Sequence, residues 1–328
     1  AFLAGAGWAD AIRRPLAGDA SFRHYERVRR GRDSAVLMDA PPPEDVRPFT
    51  EIARHLVALG YSAPRILAED AAAGLLLLED LGDLTYTRAL ARGMDARALY
   101  GRAVDVLAHL HGLDAALAVP KGLPAYDTER LLGEAVLLAD WYMPRVIGRP
   151  SIGGPREEYL DIWRKILSVL GGQPETLVLR DFHGDNLMWL EDRSGLAVCG
   201  LLDFQDAVAG PPAYDLMSLL EDARLDLDGA LVAHMLERYF DQRRDVDRQA
   251  FETAYQVLAA QRHCKVIGIF TRLSTRDGKQ GYLAHISRVW RLLERASAEA
   301  PLLAPLAAWL ERNIPESQRI PPRRRIEK

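Results

Sequence analysis

Apolar and polar positions alternate through residues 16–40, LAGDASFRHYERVRRGRDSAVLMDA, and GD and RGRD supply turn residues. A period of two predicts paired hairpin strands. The run PPP at 41–43 ends that sheet, because proline cannot donate to a ladder. Val46, Phe49, Ile52, Ala53, Leu56 and Leu59 then fall on one face at helical spacing, and Gly60 ends the helix. SAPRILAED and GLLLLEDLGD predict two further strands. The first eighty residues therefore make a small antiparallel sheet with one helix.

Beyond Asp83 the period becomes helical. Residues 97–113 and 128–143 predict helices, and Pro and Gly clusters at 120–124 and 148–155 predict loops. Strand signals return at 176–179 and over 187–202. From Tyr214 onward the pattern is helical, and the basic tail IPPRRRIEK predicts fraying. The result is an α+β chain with a small antiparallel β-rich N-terminal lobe, residues 1–81, and a larger mostly α-helical C-terminal lobe, residues 82–328. A short crossing segment near Glu79–Gly82 joins them, and a cleft between such lobes is where ligands are expected.

Composition narrows the class. The 328 residues are 48% hydrophobic and 27% charged, as in ordinary globular proteins, and the net charge of −4 offers no basic field for nucleic acid. Cys199 and Cys264 match no metal-ligand spacing and predict buried thiols in a reducing compartment. No apolar stretch approaches the roughly 18–20 residues that span a bilayer. The N-terminal segment has a short apolar part and no basic leader, which predicts no signal peptide. The expectation is a cytoplasmic monomer with neither nucleic-acid nor membrane partners.

The densest chemistry lies at 179–186, LRDFHGDN, between apolar runs TLVL and LMWL. Polar side chains in that number are costly between buried strands unless they bind something. The hairpin 187–202 brings Asn186, just before its first strand, and Asp203, just after its second, to one end of a ribbon. Asp181 lies in the same loop. Converging oxygen donors of this kind suit Mg²⁺ completed by phosphate oxygens and water.

The order follows the kinase catalytic loop H-R-D-x-x-x-x-N and a following D-F-G, with Leu179 in place of the histidine and DFQ in place of DFG. HGDN with LLDFQDAVAGPPAYDLMSLL resembles the aminoglycoside phosphotransferase family, which is protein-kinase-like and two-lobed. GDASFRHYERV, LMDAPPPEDV, LLLEDLGD, LRDFHGDNLMWL and QRHCKVIGIFTRL resemble, within that family, the bacterial anomeric kinases for N-acetylmuramate and N-acetylglucosamine. The resemblance implies an ATP- and Mg²⁺-dependent sugar kinase of cell-wall recycling. It implies that Asp181 is the catalytic base and that Asn186 and Asp203 hold the metal. Asp206 either touches a second metal or closes the loop. Asp215 is expected to cap the following helix. Arg180 is expected to partner a nearby carboxylate.

The same resemblance makes AGDASFRHYERV the loop over the phosphates, with Gly18 and Ser21 lending backbone N–H groups; by itself the stretch reads equally as a hairpin turn. Glu79 and Leu81 become the adenine-binding hinge. One departure is plain: Met38 stands where the strand-three lysine of kinases grips the phosphates, so Arg23 or Arg27 must supply that charge, Arg23 being preferred. Glu51, the helix glutamate that would partner such a lysine, either pairs with an arginine or faces solvent.

For the acceptor, residues 261–295 hold eight Lys/Arg against Asp277 and Glu294, which suits a neutral or anionic amino sugar better than a polycation. Arg262 and Lys265 are the candidates there. Glu134 and Trp141 offer a carboxylate and an aromatic platform, with core packing as the competing role for Trp141. His183 is a hydrogen-bonding loop residue counted among the substrate-facing candidates. Two alternatives stay open: a phosphotransferase for another hydroxyl compound, such as an aminoglycoside, choline or homoserine, and a nucleotide-binding pseudokinase.

Overall fold

In the computed structural model, which describes residues 1–16, 22–148 and 154–322, the strands in chain order are β1 (Ile12–Pro15), β2 (His24–Arg30), β3 (Asp33–Asp39), β4 (Ile66–Asp70), β5 (Leu75–Glu79), β6 (Thr176–Val178), β7 (Leu187–Trp189), β8 (Cys199–Leu201) and β9 (Val208–Gly210). The helices that matter for the site are α1 (Arg47–Ala58), α2 (Ala96–Gly112), α3 (Thr128–Ala135), α4 (Ala213–Leu220) and α5 (Arg248–Arg276). Packing groups the chain into two units, Ala1–Leu123 with Leu179–Ala207, and Pro124–Val178 with Val208–Lys328. This partition differs from a division at residue 81, because α2 and the 179–207 segment fall in the same unit as the N-terminal sheet.

In the first unit β1-β2-β3-β5-β4 form one antiparallel sheet. Alternation along β3 sends Ala35 and Leu37 into a core with Trp8, Val28 and Leu77. Phe49, Ile52, Ala53 and Leu56 of α1 are buried as their spacing predicts; large apolar side chains contribute about 1.5–3 kcal/mol each when fully buried. Phe49 stacks on the fully buried Phe204 with ring centroids 5.0 Å apart, which ties α1 to the residue after Asp203. Strand β1 has no counterpart in the alternation pattern. All four of its residues are exposed, so no buried face marks it. The separate ribbon β7–β8 pairs Leu187 with Leu201 and Trp189 with Cys199.

The second unit is mostly helical, with β6 and β9 as a short antiparallel pair. The expected single helix 128–143 is broken: α3 stops at Ala135 and a π-helical turn follows at Leu138–Tyr142. The break lies where α5 crosses. A Cβ on Gly268 would sit 2.3 Å from the Leu137 carbonyl carbon, so the two backbones are in direct contact there. Of the loop expected at 148–155, residues 154 and 155 instead begin a helix, Gly154–Leu167, whose first turn tolerates proline; 149–153 lie outside the described residues. Asp215 does not cap α4. Pro212 holds that position and Asp215 is buried in the first turn. At the start of the tail the Tyr142 hydroxyl lies 2.7 Å from the Gln318 carbonyl and 2.8 Å from that of Ile320; residues 323–328 of the tail lie outside the described residues. No helix of the described residues is long and apolar enough to cross a membrane.

Candidate active site

The loop 179–186 is held by its own polar groups. The Asp181 N–H donates to Leu179 O at 2.9 Å, Asn186 N–H to His183 O at 2.9 Å, and Thr87 N–H to Gly184 O at 3.2 Å. The Asn186 amide Nδ2 donates to the Asp181 carbonyl at 3.0 Å and to Asp203 Oδ2 at 3.3 Å. The Gln205 amide donates to Asp203 Oδ1 at 2.8 Å. Leu202 N–H donates to Asn186 O at 3.0 Å, which continues the ribbon ladder one step and sets Asn186 beside Asp203. His183 is buried, and its Nε2 lies 3.4 Å from Asn186 Nδ2. Arg180 Nη1 reaches the Asp206 carbonyl at 3.2 Å. Thus Asp181, His183, Asn186 and Asp203, scattered over the loop and the far side of a hairpin, form one cluster.

Two backbone conformations in this cluster are costly. Arg180 (φ 69°) and Asp203 (φ 59°) are the non-glycine residues with positive φ among those described. The left-handed region costs an L-residue roughly 1–2 kcal/mol, less for Asp, and such outliers concentrate at functional sites. Arg180 adjoins the polar cluster and Asp203 is part of it.

The crossing segment is fastened by ion pairs. The Glu79 carboxylate accepts from Arg65 Nε at 3.2 Å and Arg193 Nη2 at 2.7 Å, and Arg193 Nη1 donates to Ser62 Oγ at 2.7 Å. Arg193 stands in the loop linking β7 to β8, so the β7–β8 ribbon and the end of β5 are joined through one guanidinium. Arg27 binds Asp80 (2.7 Å), Asp83 (2.7 Å) and the Gly82 carbonyl (3.0 Å). Burial works against the Asp80 charge, yet hydrogen bonds from Ser34, Arg27 and the Gly82 N–H hold its carboxyl below the ordinary value of 3.8. Gly200 permits the ribbon to approach the hinge: a Cβ there would lie 2.9 Å from Met188 Cβ and 3.3 Å from Leu81 Cδ1.

A cavity of about 590 Å³ lies within this unit, lined by Arg23, Glu79, Leu81, Asn186 and Asp203 among others. All five are expected site residues, and the volume suits a small-molecule ligand. Gly18 and Ser21 lie outside the described residues. Arg23 Nη2 pairs with Glu44 Oε2 at 2.9 Å. Met38 is buried, opposite Tyr25 and Leu76 in the sheet, and Glu51 is exposed.

The remaining candidates belong to the second unit. Glu134 in α3 accepts from the Tyr126 hydroxyl (2.5 Å), Lys265 Nζ (3.1 Å) and Gln261 Nε2 (3.4 Å). Arg262 Nη1 donates to the Tyr214 hydroxyl at 3.0 Å, with the guanidinium 5.4 Å from that ring's centroid. Lys265 reaches the same hydroxyl at 3.5 Å, so Glu134 and Arg262 join one buried polar cluster. Trp141 is half-buried on the π-helical turn. Gln261 and Lys265 carry a signal that periodicity alone undervalued: polar residues four apart inside the apolar run of a long helix. For Arg193 and Glu44 no local signal exists, since their partners come from distant strands.

Asn186 and Asp203 fit a divalent ion of the magnesium type: one amide and one carboxylate at a cavity wall, leaving other positions to phosphate and water. The amide must then present Oδ1 rather than Nδ2. No cluster of three or more His, Cys, Asp or Glu side chains suited to a metal occurs among the described residues, which leaves no closed protein cage of that kind.

The sequence profile described as the phosphotransferase enzyme family matches residues 12–252. The chain belongs to this family. As a phosphotransferase it has curated relatives along nearly its whole length. It is 38% identical to the N-acetylmuramate/N-acetylglucosamine kinase of Caulobacter vibrioides, over 97% of this chain and 96% of that protein. It is 40% identical to the Pseudomonas aeruginosa protein of the same name, over 90% and 87%. Among solved structures, APH(2″)-IIa in its gentamicin complex superposes with a TM-score of 0.58 at 16% identity, covering 86% of this phosphotransferase and 93% of that chain. That likeness establishes the protein-kinase-like α+β fold, with a five-stranded antiparallel sheet and a helical second part.

Proposed function

We propose that this phosphotransferase is a kinase that transfers the γ-phosphoryl group of ATP to the anomeric hydroxyl of N-acetylmuramate and N-acetylglucosamine. The observation that carries the reading is one cavity walled both by the 79–81 segment and by the hydrogen-bonded Asn186–Asp203 pair. The names of the relatives support the sugar. The adenine edge meets the backbone of Glu79 and Leu81, whose strand end is braced by Arg65 and Arg193. Gly18, Ser21 and Arg23 attend the phosphates. Asn186 and Asp203 hold Mg²⁺, which when bound neutralises charge on the phosphates. The division into a nucleotide lobe, residues 1–81, and a catalytic and substrate lobe, residues 82–328, is part of the same reading.

Asp181 orients the acceptor hydroxyl and takes its proton as that oxygen bonds to phosphorus and the bond to the ADP oxygen breaks. Phosphoryl transfer has a loose transition state, so positioning carries most of the catalysis. An anomeric hydroxyl is more acidic than an ordinary alcohol, which lightens the demand on the base. Glu134, Trp141, His183 and Arg262 contact the sugar, and Arg262 suits the lactyl carboxylate of N-acetylmuramate. The setting is cytoplasmic recycling of cell-wall sugars by a monomer. Buried Met38 at the lysine position favours the second reading, a pseudokinase.

ADP release with each sugar, and phosphorus NMR of the product, test the proposal. Turnover yields an anomeric phosphate, and Asp181→Ala lowers kcat about 10²–10⁴-fold with ATP affinity retained. ATP binding without turnover on any sugar sinks the kinase in favour of the pseudokinase.

A further inference from the structure

We propose that Glu44 orients Arg23 toward the nucleotide phosphates, so that the Arg23–Glu44 ion pair fills the place of the lysine–glutamate pair that kinases draw from strand three and the first helix. The inference rests on the nucleotide reading of the cavity and adds to it a residue, Glu44, with a stated task.

The geometry excludes the usual pair. Met38 carries no charge, and in the pleated strand it shares a face with Val36, which lines the cavity. Glu51 on α1 is exposed to solvent. Among the described residues of the cavity wall, the cations are Arg23 and Arg27. Arg27 is engaged by Asp80, Asp83 and the Gly82 carbonyl and so holds the hinge loop. That leaves Arg23. Its guanidinium lies 2.9 Å from Glu44, and the two side chains are only 11% and 17% exposed. The second oxygen of Glu44 faces the Phe22 N–H at 3.4 Å, which fixes the carboxylate against the backbone next to Arg23. Tyr25 borders the pair. Arg23, Tyr25, Asn186 and Asp203 all line the same cavity, so the arginine and the Asn186–Asp203 pair face one space.

A long arginine side chain gives up much rotamer freedom when it is held in place. Holding it in one direction before the nucleotide arrives removes that cost from binding. A guanidinium has five donors in a planar fork, so a carboxylate on one edge does not saturate it, and phosphate is its natural bidentate partner. The opposite role, a carboxylate that competes with phosphate for the arginine, predicts the opposite sign.

Equilibrium titration of ATP, ADP and adenosine against wild type, Glu44→Gln, Glu44→Asp, Arg23→Ala and the Glu44→Gln/Arg23→Ala double variant decides the matter. Glu44→Gln and Arg23→Ala are expected to weaken ATP and ADP roughly tenfold, the scale of one charged hydrogen bond, and to leave adenosine within about twofold. A merely structural role moves all three ligands together. The double variant is expected to be no worse than Arg23→Ala alone, since the pair acts as a unit. Glu44→Asp, which keeps the charge, is expected to fall between wild type and Glu44→Gln and serves if the latter fails to fold. Unchanged or tighter ATP binding by Glu44→Gln, or a uniform loss that includes adenosine, overturns the proposal. Failure of wild type to bind any of the three ligands instead removes the nucleotide reading itself.

Discussion

Gly268→Ala sets two known effects against each other. Gly268 lies inside the 29-residue helix α5, where alanine is worth about 0.5–1 kcal/mol more than glycine by propensity alone. The contact works the other way. A Cβ there would meet the Leu137 carbonyl carbon at 2.3 Å, its oxygen at 2.4 Å and its Cβ at 2.5 Å. Ordinary carbon contacts lie near 3.5–4.0 Å, so α5 and the π-helical turn must part by about 1 Å. The obstacle is mostly backbone, which cannot rotate aside as a side chain would. Overpacking of this severity costs about 1–3 kcal/mol and occasionally more. Net destabilisation of about 1–2 kcal/mol is expected. Urea unfolding followed by circular dichroism reads it as a lower midpoint at unchanged slope. A variant as stable as wild type, or more so, would refute the claim that this crossing is closed to a methyl group.

Asn186→Ala and Asp203→Asn are expected to raise the Mg²⁺ concentration for half-maximal rate and to lower kcat; asparagine is chosen at 203 because it tolerates the left-handed conformation. Rate measured against Mg²⁺ at saturating ATP checks this, and curves that overlay wild type remove the metal assignment. Asp80→Asn tests the hinge clasp by pH. The folded-state carboxyl titrates below its ordinary value, so its stabilisation is present at neutral pH and lost as pH falls through the folded value. Urea midpoints are expected to separate variant from wild type at pH 7 and to draw together only as pH falls below the ordinary carboxyl value of 3.8; a constant gap contradicts the clasp.

Local pattern predicts those elements whose stability is local. β2, β3 and β5 alternate or run apolar, α1 keeps a clean helical stripe, and the β7–β8 ribbon is bounded by turn residues, so the meeting of Asn186 and Asp203 follows from antiparallel pairing. Elements determined by distant partners escape. β1 exposes every residue, β9 is three residues paired with a strand far back in the chain, and the π-helical turn depends on a glycine in another helix. The same holds for side chains. Arg27 is the second phosphate candidate in sequence, after Arg23, and only the fold shows its engagement with Asp80 and Asp83. Glu134 reads as a sugar-facing carboxylate, and only the fold shows its partners Tyr126, Gln261 and Lys265.

The chain leaves the first unit at Leu123 and re-enters it at Leu179. During vectorial synthesis the 79–81 segment and Arg23 therefore emerge well before the ribbon that bears Asn186 and Asp203. A nascent polypeptide halted before that return carries one part of the cavity wall and lacks Asn186, Met188, Leu202 and Asp203. Closure of this cavity must wait for the late-arriving hairpin, at translation rates of about 5–20 residues per second.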